Sequence, residues 1–431
     1  MSVTTGSLGT TDVSASSPSL HGLDGINFFL AAVLAGFGPY VPAYLVDQKW
    51  TQTEIGLVLT AGSVAGLLSQ LPGGELLDKV RSKRAVIAIA VCIVILSALI
   101  LAFWPRLPSV FIALVLQGTT GGFLGPAIAA ISLGLVGHAA LAERLGRNQR
   151  FASIGALIGA ALMGAVGYLV SYQAIFLFVA LLGLPLFVAL ARIRADDIHF
   201  GRSCGAPDHH GVEQPPKAGR RILKDSRLVI FATCLFLFQL ANASVLPLAG
   251  EALVRRSETD SSLVISALII VPQVIVAFIA PWVGRQAQSW GRRPLLLIGF
   301  AALPIRALGF ALLSDPLMLI ANQALDGISA AVLGVLTALV VADITGGTGR
   351  FNLAQGIVGT ASGIGASIST TLSGFIAERL GQSAGFLCIT AIALLATIVV
   401  LFLMPETKPQ TNPPGEQYQR ANRERMNGLR Q

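Results

Sequence analysis

Apolar residues come in long runs separated by short polar breaks. Six runs fall near 24–46, 55–77, 85–104, 109–136, 150–170 and 173–192, and six more near 228–250, 262–283, 294–313, 317–341, 353–376 and 384–404. Each is long enough, as a helix, to cross about 30 Å of hydrocarbon with some tilt. A helix satisfies the backbone N–H and C=O groups of a lone crossing segment internally, and the period-two alternation of a barrel strand is missing. The pattern predicts an all-α membrane protein with twelve transmembrane helices. Residues 1–22 are rich in Ser, Thr and Gly without Lys or Arg. They lack the basic start of a secretory leader and are predicted to be a disordered tail. Residues 407–431 are predicted to be a second tail, polar and basic.

Composition agrees with the pattern. Of the 431 residues 54% are hydrophobic and 12% charged, about half the roughly 25% of a soluble domain, which argues against a water-soluble enzyme. The net charge of +8 becomes informative once it is mapped onto the loops. If the N-terminus lies inside, the inner loops and C-terminal tail carry four, three, eight, three, one and five Lys or Arg, 24 of the 30. The outer loops carry five (Lys49, Arg106, Arg255, Arg256 and Arg379), and Arg306 lies within a span. The positive-inside rule then predicts cytoplasmic termini in a bacterial inner membrane, and the basic balance reports topology rather than nucleic-acid binding.

The chain reads as two related halves. Residues 193–226 are the one long internal loop, a charged, Pro/Gly-rich linker between a six-helix bundle at 23–192 and another at 227–406. Gly74-Glu-Leu-Leu-Asp78-Lys79-Val-Arg81-Ser-Lys83-Arg84 joins spans 2 and 3. Gly284-Arg-Gln-Ala-Gln288-Ser-Trp-Gly291-Arg292-Arg293 joins spans 8 and 9 at an offset of 210 residues. Gln117-Gly118 in span 4 corresponds to Asp326-Gly327 in span 10, and Gly146-Arg147 to Gly349-Arg350. Such a repeat suits two bundles that rock about a midplane site.

Six-plus-six spans, a central loop and this Gly-x-Leu-x-Asp-(Lys/Arg) motif resemble the major facilitator superfamily of secondary transporters, in particular its bacterial drug-efflux-like members. Gly74, Leu76, Asp78, Lys79, Lys83 and Arg84 match the loop motif. Arg81 stands where the motif has its second Gly, Gln288 where the second half would have Asp, and Leu114 where the family has an Arg in span 4. In span 5, Ala160 and Met163 replace a Pro and a Gly of the antiporter-type motif. The resemblance implies two pseudo-symmetric six-helix bundles and a central cavity lined by spans 1, 4, 7 and 10.

Several residues are candidates for the working parts. Asp78 suits a conformational latch, able to sit near a neighbouring helix N-terminus and basic side chains in one state and lose them in the other. Gly74, Lys79, Arg84, Gly284, Gly291 and Arg292 complete the two loop motifs. For Gln288, a neutral amide, a topological role is the simpler expectation. Gly155 and Gly159 in span 5 and Gly359 and Gly363 in span 11 allow close helix packing in lipid. Polar residues inside spans are costly, so Asn27, Gln117, Gln239, Asn242, Asn322 and Gln323, with Phe28 and Tyr40, are candidates for the substrate wall. Pro39, Pro42 and Pro247 predict kinks. Arg306 and Asp326 lie at similar depth and are expected to form a structural ion pair, with a titrating Asp326 as the alternative. Asp24, at the cavity mouth with no cation in its own helix, is the first candidate proton carrier, and capping of span 1 is its other possible role.

No Gly-x-x-x-x-Gly-Lys-(Ser/Thr) motif argues for an ATP-driven pump, and the Asp208-His209-His210 stretch near Cys204 is expected to be a solvated loop rather than a metal site. The combined expectation is an alternating-access secondary transporter, monomeric, without a bound cofactor and driven by the proton gradient, that exports small, partly apolar compounds. Proton-coupled uptake of a sugar or organic acid is the alternative direction, and a non-transporting sensor or assembly protein on the same scaffold the alternative class.

Overall fold

The computed structural model describes residues 15–38, 40–206, 222, 224–256, 261–313 and 315–409, and the side chains of 251–266 are outside that description. The predicted tails at 1–14 and 410–431, Pro39 and Asp208-His209-His210 fall outside it as well.

Span 1 is two helices, α1 (Ser17–Ala35) and α2 (Tyr40–Asp47), parted at Gly36–Gly38 just before Pro42. Spans 2 and 3 are α3 (Gln52–Lys79) and α4 (Lys83–Phe103). A capping box opens α3: the Glu54 N–H donates to Thr51 Oγ1 at 3.3 Å, and the Thr51 N–H donates to Glu54 Oε2 at 2.9 Å. Spans 4 and 5 run through α5 (Leu107–Leu169), broken at Gly137, whose φ of 68° and ψ of 179° suit glycine. Span 6 is α6 (Tyr172–Arg192). After the short helix α7 (Phe200–Ser203), span 7 is α8 (Ser226–Asn242) and α9 (Val245–Arg256), and spans 8 and 9 are α10 (Ser261–Trp290) and α11 (Arg293–Leu312). Span 10 is α12 (Pro316–Asn322) and α13 (Ala324–Thr345), span 11 is α14 (Phe351–Leu380) and span 12 is α15 (Gln382–Leu403).

Among the described residues ten helical stretches are apolar and long enough to cross a bilayer, and the 63-residue α5 holds two of the spans. The twelfth, α14, is less apolar, because Thr360, Ser362, Ser367, Ser369 and Ser373 lie along it. Two apolar cores form. One joins Leu23, Ile26, Val91, Leu101 and Phe176 within the N-terminal half; the other joins Phe231, Phe300, Leu336 and Phe386 of the C-terminal half and extends across to Leu133, Leu141, Ala142 and Leu145 of α5. Large apolar side chains such as Phe278, Leu308, Leu394 and Phe402 point outward, the surface expected against lipid.

Two boundaries move relative to the sequence reading. Helix α1 begins at Ser17, inside the predicted tail, because the Ser16 and Ser19 hydroxyls both donate to Asp197 Oδ2, the latter at 2.6 Å. The start of the predicted linker is folded: Ala195–Asp197 is a 3-10 turn, and His199 N–H donates to Gly134 C=O at 3.3 Å.

Candidate functional site at the seam between the two halves

The halves meet along α3 against α14 and along the second part of α5 against α10. Close approach depends on glycine. A Cβ on Gly74 would stand 2.3 Å from the Asn352 carbonyl oxygen, and one on Gly284 would stand 2.5 Å from that of Ala142. The two loop motifs thus occupy equivalent places on opposite halves.

At the basic end of the seam, the end with most Lys and Arg, Asp78 sits at the N-terminus of α14. Its Oδ1 accepts from the Asn352 N–H at 3.0 Å and from Asn352 Nδ2 at 2.9 Å, and its Oδ2 accepts from the Leu353 N–H at 2.9 Å. A carboxylate here meets the unpaired N–H groups and positive dipole end of a helix. Gln288, in the corresponding place, donates from Nε2 to the Ala139 carbonyl at 2.7 Å. It therefore joins the seam instead of acting only as a topological marker, since an amide can donate to a carbonyl where Asp would be repelled.

Other members of the motifs lie elsewhere. Lys79 turns outward to Glu75 at 2.7 Å and Arg84 Nε has no hydrogen-bond partner; the carboxylate of Asp78 is bonded by Asn352 and Leu353 and by neither of these cations. Lys83, whose charge acts on Asp78, donates to the Leu77 and Val80 carbonyls and lies 4.8 Å from the centre of the Phe200 ring. Gly291, at φ 95°, leaves room for Glu406. Arg292 Nε donates to Asp343 Oδ2 at 2.8 Å, and His138 of the other half reaches Asp343 Oδ1 at 2.8 Å. The linker also enters the seam: Cys204 C=O accepts from the Phe351 N–H at 3.0 Å, and Ser203 C=O from Asn352 Nδ2 at 3.2 Å. Among the described residues every hydrogen bond seen between the halves lies at this end.

Just beyond these contacts is a cavity of about 460 Å³ between the halves, with Asn27, Gln70, Asn148, Gln149, Gln355 and Ser362 in its wall. Of the eight residues expected there, only Asn27 lines it. Phe28 packs edge-on to Phe29, its carbonyl pressed against Gly155. Tyr40 donates to the Ala160 carbonyl at 2.9 Å. Gln117 lies in α5 away from the cavity wall, and Gln239 accepts weakly from Asn242 at 3.5 Å. The packing glycines divide their work: Gly155 and Gly159 seat α5 on α1, whereas Gly359 and Gly363 face Gln70 and Leu67 of α3 across the seam.

Asn242, Gln323 and Asp326 gather around Arg306. Its Nη1 donates to Asp326 Oδ1 and, at 2.8 Å, to Asn242 Oδ1, while Nε donates to Gln323 Oε1 at 3.1 Å. Asn322 Nδ2 donates to the Arg306 carbonyl at 2.8 Å. The guanidinium therefore spans the breaks of spans 7 and 10, where Asn242 ends α8 and Gln323 lies between α12 and α13. Arg306 is 2% exposed and Asp326 25%.

Asp24 is not free of cations. Arg144 Nη2 reaches its Oδ1 at 2.5 Å and Arg147 Nη2 its Oδ2 at 2.6 Å. Both come from α5, so inspection of its own helix could not reveal them. Arg144 Nε also donates to Asn148 Oδ1 at 2.7 Å, and Asn148 Nδ2 to Ser132 Oγ at 2.7 Å, which extends the network into the cavity wall. Sequence reasoning missed Gln70, Asn148, Gln149 and Gln355; glutamine or asparagine within spans 2, 5 and 11 was the available signal.

The family model for the Major Facilitator Superfamily matches residues 23–253 and 231–427. The chain is 36% identical over 387 residues to an uncharacterized MFS-type transporter of Mycobacterium tuberculosis, covering 89% of this chain and 93% of that one. A shorter stretch of 145 residues is 32% identical to the class B tetracycline resistance protein of Escherichia coli, covering 34% and 35%. Among solved structures, the MFS transporter FucP in its outward conformation matches with a TM-score of 0.68 at 17% identity, over 89% of this chain and 98% of FucP. With two six-helix halves meeting over a shared cavity, the chain belongs to the Major Facilitator Superfamily and is a multi-pass membrane transporter of that family.

Proposed function

We propose that this protein is a proton-coupled exporter of small, partly apolar compounds, working in the bacterial inner membrane as a monomer with both termini in the cytoplasm. Alternating access is carried by one observation: Asp78 of one half accepts three hydrogen bonds from Asn352 and Leu353 of the other, beside the cavity. Losing those contacts would favour parting the halves at that end, where the apolar contacts of Leu141, Ala142 and Leu145 with the C-terminal half would open as well. The Lys and Arg bias supports reading the basic end as cytoplasmic, so the arrangement described is the one closed to the cytoplasm.

Asp326 is our choice for the coupling group. Asp24 is held by two guanidiniums, whereas Asp326 is partly exposed and has one cation, Arg306. A proton taken from outside would neutralise Asp326 and leave Arg306 to its bonds with Asn242 and Gln323, and so bias the broken spans 7 and 10. The proton would leave to the cytoplasm. Similarity over a third of the chain to a tetracycline resistance protein supports export. The energy source is the proton gradient, with no bound cofactor, and the partners are the bilayer and a small-molecule substrate.

Everted membrane vesicles with a pH-sensitive dye and a panel of lipophilic cations, uncharged drugs, sugars and organic acids test this reading. Dissipation of the gradient by a compound, dependent on intact Asp326, is expected. Equal dissipation in Asp326→Asn at wild-type protein levels would overturn coupling at this residue. Gradient-driven accumulation in right-side-out vesicles alone would favour uptake.

A further inference from the structure

The cavity wall is unusual in what it leaves unspent. Gln70 on α3, Gln149 on α5 and Gln355 on α14 make no side-chain hydrogen bond among the described residues, yet all three line the cavity. Asn27 donates from Nδ2 to the Leu23 carbonyl at 2.8 Å and keeps its Oδ1 available. Asn148, by contrast, is engaged at both its oxygen and its nitrogen, by Arg144 and Ser132. None of the lining residues is ionisable.

Two of the glutamines are seated by glycines of the opposite half. A Cβ on Gly359 would stand 2.5 Å from Gln70 Oε1, and one on Gly334 would stand 2.6 Å from the Gln149 amide carbon. Each carboxamide thus lies in a notch across the seam. Pro126, Leu145, Leu333 and Val358 supply an apolar wall.

Each carboxamide offers two donors and an acceptor oxygen, so the wall can replace the water around hydroxyl, carbonyl or amide groups. It offers no counter-charge, and a charged ligand would lose its hydration without compensation. We infer that the ligand of this cavity is an uncharged compound with hydroxyl or amide groups along one edge and an apolar face along the other, read by Gln70, Gln149 and Gln355. This rests on the reading of the cavity as the transport site and names its substrate class.

The test is direct binding to the purified full-length protein in detergent, by calorimetry, with no gradient present. Two matched series vary charge on a constant scaffold: chloramphenicol, its deacylated amine and its succinate ester; and glucose, glucosamine and glucuronate. The expected result is binding by an uncharged member at least tenfold tighter than by its charged counterparts. Gln149→Leu and Gln355→Leu, at unchanged melting temperature, are expected to weaken it by about threefold to tenfold each. Gln149→Glu, which keeps the shape and adds a charge, is expected to move preference toward the amine of the same scaffold. No binding by either uncharged compound, a charged member binding within threefold of its uncharged counterpart, or unchanged affinity in both Leu variants overturns the inference. The outcome is separable from the coupling proposal: an uncharged ligand that binds without dissipating a pH gradient defeats coupling alone, and a charged compound that is pumped defeats only the substrate class.

Discussion

Asp78 and Asn352 lie 274 residues apart, on different halves, and are joined by two hydrogen bonds to one carboxylate oxygen, from the Asn352 backbone N–H and from its side chain. With the Leu353 N–H on the other oxygen, the N-terminal half caps the first turn of a C-terminal-half helix. The contact is strong because the carboxylate is charged and buried, and movable because it is carried by side-chain and terminal groups rather than by a core.

Replacing Asp78 by Asn puts an amide NH2 opposite an N–H donor. Loss of charge-assisted hydrogen bonds of this type costs about 1.5–3 kcal/mol, a shift of roughly tenfold or more toward the state open at the basic end. In a background lacking the four native cysteines, alkylation of Gln355→Cys in everted vesicles is expected to speed up accordingly, at unchanged expression. An unaltered rate would leave the contact without a role in closure.

The glycine approaches predict the same shift by a different cause. Gly74→Val and Gly284→Val place methyl groups where backbone oxygens of the other half lie at 2.3 and 2.5 Å from the Cβ position. Overpacking costs about 1–3 kcal/mol, borne only by the closed arrangement, because both glycines face across the seam. Faster alkylation of Gln355→Cys with an unchanged melting temperature is the expected pair of results; a lower melting temperature alone would assign these glycines to packing within a half.

What was legible in the sequence was what depends on local pattern. Twelve apolar runs carry the spans, and the repeated loop motif identifies Gly74, Asp78, Gly284 and Gln288 as equivalent positions. The Arg306–Asp326 pair was also readable, because a charge inside hydrocarbon needs a partner at its own depth. For Asp78 the kind of partner, a neighbouring helix N-terminus, was readable, but not which helix supplies it, since a helix N-terminus on another half carries no side-chain signature. Asp24 misled for a related reason: Arg144 and Arg147 reach it from α5, 120 residues on. The cavity wall went astray because helix breaks in spans 7 and 10 turn Asn242 and Gln323 toward Arg306, leaving the wall to glutamines of spans 2, 5 and 11.

Asp326→Asn leaves a guanidinium that is 2% exposed with only neutral amide oxygens as acceptors and no counter-charge. Breaking a buried pair from one side costs about 3–5 kcal/mol, so thermal stability in detergent should fall in this variant and in Arg306→Gln, and recover in part when the two charges are exchanged. Two stable single variants would mean that the pair is not structural.

Glu406, just past α15, accepts from the backbone N–H groups of Arg292 and Lys408 at 2.8 and 2.9 Å and of Arg293 at 3.1 Å. Burial alone would raise its pKa, but the three N–H donors outweigh it and hold the carboxyl below its usual range. A folded value below the unfolded one means that the stabilisation is complete above the unfolded value, near pH ~4.3, and is lost as pH falls through the folded value. Glu406→Gln should therefore lower the melting temperature at neutral pH and converge with wild type in acid. A difference independent of pH would exclude the charge as its origin.

Asp24 permits a sharper separation of structure from coupling. In Asp24→Asn, Arg147, whose side chain is half exposed, can turn to solvent, but Arg144 is 5% exposed and is stranded beside Asn148 in the cavity wall. The expected result is a loss of about 3–5 kcal/mol, seen as a lower melting temperature, with ligand binding disturbed through Asn148. Removing the stranded charge as well, in Asp24→Asn with Arg144→Gln, should restore most of the stability. A proton carrier would behave otherwise: Asp24→Asn would fold normally and retain substrate exchange but lose gradient-driven flux, and the Arg144 change would rescue nothing. Melting temperature, exchange and driven flux measured on the two variants therefore decide whether Asp24 clamps α1 to α5 or carries the proton.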